Sequence, residues 1–259
     1  MIQIKNLKIK VLDKQILNWV SLDFELGKNY LLLWKNGSWK SSLLSFLMWN
    51  PIYKYESGEV NLEWKDLLEL SPEERSKAGL FLSFQNVPEI AWIKLSEYLR
   101  TIYNINLKNN HPQPLLGKEG EYKEFRDISP FIFKRFIKKY LSELNIDEKF
   151  LDRDLNVWFS WGEKRKIEIL QMKLIEPKYI ILDEIDSGLD LDAFRKVAEL
   201  LKSVSSEKNS IIIITHYFKI LEYMEIDKVY VMKNWLIEKS GDKSLAEYIS
   251  KNGFENFVK

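Results

Sequence analysis

Three short apolar runs most constrain what this chain can fold into: Tyr30 to Leu33, Tyr179 to Asp183 and Ile211 to Thr215. Each is continuous rather than alternating, the pattern of a parallel strand buried on both faces. Further strand signals fall at about 1–8, 17–25, 58–63, 79–84 and 228–232. Helical patterns at about 40–48, 161–176 and 192–205 alternate with them, which predicts an α/β core. Residues 86–155 differ. They lack such runs and hold helical stretches near 95–104 and 130–144 around a polar loop that contains His111. The expectation is a core made of 1–85 and 156–259, with a helical subdomain inserted at 86–155.

Charge and composition exclude several function classes. Lys+Arg is 39 and Asp+Glu is 38, a net charge of +1. No field of one sign points to nucleic acid or an anionic membrane surface. No apolar run approaches the roughly 18 residues of a membrane span, and the first residues read as a strand rather than a signal peptide. Cysteine is absent, which excludes disulfides, thiolate metal sites and a cysteine nucleophile, and fits a reducing, cytoplasmic setting.

After the first buried run comes Trp34-Lys35-Asn36-Gly37-Ser38-Trp39-Lys40-Ser41-Ser42. The order strand, loop, Lys, Ser, helix is that of a phosphate-binding P-loop, G-x-x-x-x-G-K-[ST]. Both required glycines are tryptophan, so a pure pattern match fails. The loop needs glycine for unusual backbone angles and for close approach to phosphate. The second run ends in Asp183-Glu184. In P-loop enzymes such an aspartate supports Mg²⁺, and an adjacent glutamate can act as general base on water. Two solvated acids at a strand end are the plainer alternative. A third motif, Ser160-Trp161-Gly162-Glu163, opens the helix that precedes this acidic strand.

Taken in order, the P-loop-like segment, Gln85 after a strand, the helical insert, the Ser160 motif, the acidic strand, Ser187-Gly188-Leu189-Asp190 and His216 after a strand resemble the ABC-type ATPases. Longer stretches resemble one branch, SufC, the ATPase of the Suf iron–sulfur cluster assembly system. They include Leu155 to Lys164, Ile181 to Asp190 and Thr215-His216-Tyr217. The resemblance covers nearly the whole chain and implies a P-loop α/β core with a mixed sheet.

The departures from that family pattern are all of one kind. Trp19, Trp34, Trp39, Trp49, Trp64, Trp92, Trp158, Trp161 and Trp235 each fall where the family carries glycine. Asn234-Trp235 makes the point without the family: it separates two β-like runs where Asn-Gly would be a strong hairpin signal. The chain has 10 glycines and 9 tryptophans in 259 residues. Glycine at all nine positions would bring its share to the usual ~7%. The expectation is that these are UGA codons which the organism reads as glycine. Only 7 of the 39 basic residues are arginine, the skew of an AT-rich genome.

The resemblance further implies roles. ATP and Mg²⁺ are the cofactors. Lys40 holds the β/γ-phosphates, and Ser41 coordinates Mg²⁺ with Asp183 and Gln85. Residues 34–42 supply the nucleotide cradle at a helix N-terminus. Glu184 polarises the attacking water, and His216 contacts the γ-phosphate. Ser160, Trp161, Gly162 and Glu163 act in trans, across a transient ATP-dependent self-dimer. SufB/SufD-like scaffold proteins are the partners, with residues 86–99 as the docking face. Residues 11–14 offer no aromatic for the adenine. The alternatives are a transporter's nucleotide-binding subunit and, with literal tryptophans, a catalytically impaired interaction module.

Overall fold

The computed structural model describes residues 1–34, 40–83, 85–110, 115–116, 122–123, 127–234 and 236–254. Packing divides the chain into two compact units: Met1–Gln85 with Pro177–Lys259, and Asn86–Glu176.

The first unit opens with β1 (Ile2–Val11), β2 (Lys14–Phe24), β3 (Tyr30–Trp34), α1 (Lys40–Leu47), β4 (Lys54–Leu62), β5 (Lys65–Asp66), α2 (Pro72–Lys77) and β6 (Leu80–Ser83). The second unit holds β7 (Ile90–Lys94), α3 (Leu95–Asn110), β8 (Leu115–Leu116), β9 (Tyr122–Lys123), α4 (Pro130–Glu143), β10 (Asp154–Leu155) and α5 (Trp161–Ile175). The chain then returns to the first unit with β11 (Tyr179–Asp183), α6 (Leu191–Lys202), β12 (Ser210–Ile214), β13 (Lys228–Lys233), β14 (Leu236–Gly241) and α7 (Lys243–Asn252).

The main sheet runs β14-β13-β3-β12-β11-β6. Its strands are parallel except β14, which pairs antiparallel to β13, so the sheet is mixed. Every residue of β11 and β12 is buried, as continuous apolar runs require. The other sheet of this unit, β2-β1-β4-β5, is antiparallel. It alternates instead: Ile2, Ile4, Val20, Leu22 and Phe24 point inward while charged neighbours face water. Its apolar face joins Tyr30, Leu32, Tyr179, Ile181, Ile212 and Ile214 of the main sheet in one core. Tyr30 meets Phe24 edge-on at 5.0 Å, and burial pushes its phenol up to about 12.

In the second unit α4 buries Phe133, Ile137 and Leu141, a one-sided helical face. Ser129 caps it, with Pro130 as its first residue. Between α3 and α5, the Tyr98 hydroxyl donates to Gln171 Oε1 at 3.1 Å and Asn106 Nδ2 to the Leu174 carbonyl at 3.1 Å. The unit also contains the short β7–β10 ladder, which the sequence pattern does not predict. Its packing boundary falls at 176/177, beyond the expected 155/156, because α5 packs against α3 and α4.

Candidate functional site

In the first unit β3, β12, β11 and β6 lie side by side and parallel. Their carboxyl ends therefore share one edge, the place where open α/β sheets bind ligands. What the sequence puts there follows directly. β3 ends at Trp34, five residues before α1, β11 ends at Asp183 with Glu184 next, β12 is followed by Thr215 and His216, and β6 by Gln85 after one residue.

Three of the predicted residues meet there. Gln85 Nε2 donates to Glu184 Oε2 at 2.7 Å. His216 Nδ1 stands 3.6 Å from Glu184 Oε1. Glu184 adopts φ 45, and its N–H donates to the Ile214 carbonyl at 2.9 Å, which ties the end of β11 to β12. A non-glycine residue held in left-handed backbone is costly and recurs at functional sites. Asp183 is buried, 5% exposed.

Lys35, Asn36, Gly37, Ser38 and Trp39 lie outside the described residues, as do the side chains of Trp34, Lys40 and Ser41. The backbone of Trp34 closes β3 opposite Met232 of β13. Ser42 is buried in the first turn of α1.

The edge suits a hard cation held by few protein groups. Among the described residues no cluster of three or more His, Cys, Asp or Glu could hold a metal by itself. Magnesium commonly uses one or two carboxylates and completes its shell with phosphate oxygens and water. A buried carboxylate at the end of β11 fits that habit.

In the second unit, Ser160 caps α5. Its Oγ accepts from the Glu163 N–H at 3.3 Å, and the Glu163 carboxylate accepts from the Ser160 N–H at 2.7 Å. This reciprocal capping box is what Ser-x-x-Glu encodes. Trp161 is the first residue of the helix and Gly162 the second, where an added Cβ would meet nothing within 4 Å. Lys164 Nζ reaches Glu89 Oε1 at 2.7 Å, and that ion pair holds the Glu89 carboxyl below its usual range. Arg165 and Glu168 pair at 2.6 Å, both buried.

Two features escaped the sequence reading. Thr215 Oγ1 donates to Asp186 Oδ1 at 2.7 Å and accepts from the Tyr217 N–H at 2.8 Å, bracing the turn that carries His216. Asp190 caps α6 by accepting from the Ala193 N–H at 2.7 Å. The cap was legible as an aspartate at the start of the helical pattern near 192. The Thr215–Asp186 bond joins two loops with no local pattern to betray it.

The family model described as ABC transporter matches residues 17–187. The chain is 40% identical to the probable ATP-dependent transporter ycf16 of Cyanophora paradoxa, covering 98% of this chain and 93% of that one. It is 37% identical to the probable ATP-dependent transporter SufC of Escherichia coli, over 98% and 97% of the two chains. It is 34% identical to the iron-sulfur cluster assembly protein SufC of Plasmodium falciparum, over 95% and 67%. Among solved structures, the dimeric bacterial ABC transporter cassette MJ0796 superposes with a TM-score of 0.72 at 19% identity, covering 94% of this chain and 99% of that one. The same cassette bound to ADP and Pi gives 0.70 at 18% identity, over 94% and 99%.

Proposed function

This chain belongs to the ABC family of ATPases, in the branch that carries the names ycf16 and SufC, and from that membership we propose that it powers iron–sulfur cluster assembly on a partner scaffold. It is a nucleotide-binding, ATP-hydrolysing enzyme. The observation that carries the catalytic reading is the contact of Gln85, Glu184 and His216 at the carboxyl edge of the parallel sheet.

Glu184 accepts the proton of the attacking water, with the Gln85 amide fixing its carboxylate. His216, beside the same carboxylate, faces the terminal phosphate. Lys40 and the loop before α1 hold the phosphates, and Asp183, Ser41 and Gln85 are the residues for Mg²⁺. The metal would neutralise phosphate charge. Ser160 to Glu163 complete the site of a second copy, so turnover requires an ATP-dependent dimer.

The cluster belongs to the partner, since the chain has no cysteine and only 2 histidines. SufB/SufD-like scaffolds fit this role, docking on residues 86–99. There β7 is exposed along its whole length, with Ile90 and Ile93 on the surface. Among the described residues no helix is long and apolar enough to cross a membrane, in keeping with a proposed cytoplasmic setting.

The test is hydrolysis and co-purification. A chain with glycine at the nine tryptophan positions hydrolyses ATP, dimerises with ATP when Glu184 is replaced by Gln, and captures SufB/SufD-like proteins. Capture of membrane-embedded subunits instead would favour the transporter reading. Absence of hydrolysis would remove the mechanism.

A further inference from the structure

We propose that all nine tryptophan positions are glycine positions, so that the protein made in its own cells carries glycine, and no tryptophan at all, from codons written UGA. Left-handed backbone at four of the positions supports it, independently of the ATPase reading.

Six of the nine have described side chains: Trp19, Trp49, Trp64, Trp92, Trp158 and Trp161. Four of these six have positive φ: 57 at Trp19, 66 at Trp49, 69 at Trp92 and 59 at Trp158. Left-handed backbone is held by a few per cent of non-glycine residues, with Asn, Asp and His several-fold enriched. Bulky residues are outliers there.

The local motifs ask for glycine independently. At Trp49 the helix α1 ends in a Schellman motif. The Trp49 N–H donates to the Phe46 carbonyl at 3.0 Å, and the Asn50 N–H to the Ser45 carbonyl at 2.7 Å. Trp49 is thus the C′ residue, usually glycine. At Trp19, Leu17 pairs with Ile9 and Val20 with Leu7. Two residues of β2 therefore face one of β1, a bulge whose left-handed position favours glycine. Trp64 sits in the two-residue turn between the paired Leu62 and Lys65, but there Glu63 is the left-handed residue, at φ 58, so this turn makes no demand for glycine at 64. Lys233 pairs with Leu236, and Asn234 takes φ 48; Trp235 lies outside the described residues.

Packing supplies no opposing reason for an indole. The six side chains range from 38% exposed at Trp161 to 98% at Trp64. Tryptophan is normally among the most buried residues on average. Lys8 lies over the Trp19 ring at 3.7 Å and Arg75 over Trp49 at 4.9 Å, but neither ring enters a core. Independent mutation would scatter over several residue types. One reassigned codon replaces glycine by tryptophan and nothing else.

The deciding measurement is the mass of peptides from the native protein, across residues 36–40 and 154–164. Glycine masses are expected, together with tyrosine-only fluorescence of the intact protein. Tryptophan masses overturn the proposal. A second readout uses the chain with literal tryptophans. Trp49→Gly and Trp158→Gly each raise its unfolding midpoint, by roughly 2–4 °C; a fall in both would remove the backbone argument. Glycine masses in a native protein that does not hydrolyse ATP would sink the ATPase mechanism and still support this proposal.

Discussion

Glu184 and Trp158 share left-handed backbone, φ 45 and φ 59, but their side chains stand in opposite relations to it. At Glu184 the carboxylate takes the Gln85 amide at 2.7 Å and lies beside His216. The strain holds a group that the proposed chemistry uses. At Trp158 only the backbone is engaged, its carbonyl accepting from Arg153 at 3.0 Å, while the indole is 88% exposed. Between these two residues, the strained conformation goes with the proposed chemistry where the side chain is held and with the proposed glycine where it is idle.

The largest expected effect tests the functional half of that contrast. Glu184→Gln, in the chain with glycine at the tryptophan positions, lowers ATP hydrolysis by roughly 10²–10⁴-fold while nucleotide binding persists. A loss of less than about tenfold would remove Glu184 as general base. Gly58→Ala probes a written glycine. Its φ is 114, and an added Cβ would lie 2.7 Å from the Asn6 carbonyl oxygen and from Leu7 Cα. Urea unfolding should show a loss of roughly 3 kcal/mol. Unchanged stability would show that β1 and β4 yield easily, and would weaken every backbone argument made for the tryptophans.

Smaller effects sharpen the picture. Thr215→Val removes the hydroxyl that bridges Asp186 and the Tyr217 N–H, at about 1–2 kcal/mol in urea unfolding. Hydrolysis should fall with it, because His216 is the neighbouring residue. The smallest change goes the other way. Trp158→Gly gains about 1 kcal/mol by relieving left-handed strain, read in the same titration. A destabilised variant would mean that the exposed indole packs in solution.

Much of the fold was legible. The all-buried β11 and β12 appear as continuous apolar runs, and the α5 cap as Ser160 with Glu163. Other parts were not. β1 and β2 form a hairpin around Leu12 and Asp13, where Leu12 takes φ 53, a conformation that leucine does not advertise. β7, exposed along its whole length, buries too little to leave a pattern. The acids at 183 and 184 and the glutamine at 85 were each visible. Their meeting was not, because Gln85 and Glu184 are 99 residues apart.

By itself the sequence determined the α/β class, the candidate residues and the tryptophan–glycine anomaly. Apolar period, cap spacing and residue counts are local properties that survive without coordinates. Only the tertiary structure decided that the ends of β6, β11 and β12 share an edge and bring Gln85, Glu184 and His216 into contact. Strand order is set by pairing between distant segments. Only it, too, showed that Trp19, Trp49, Trp92 and Trp158 take left-handed backbone, since φ follows from the hydrogen bonds a turn makes and not from the letter written there.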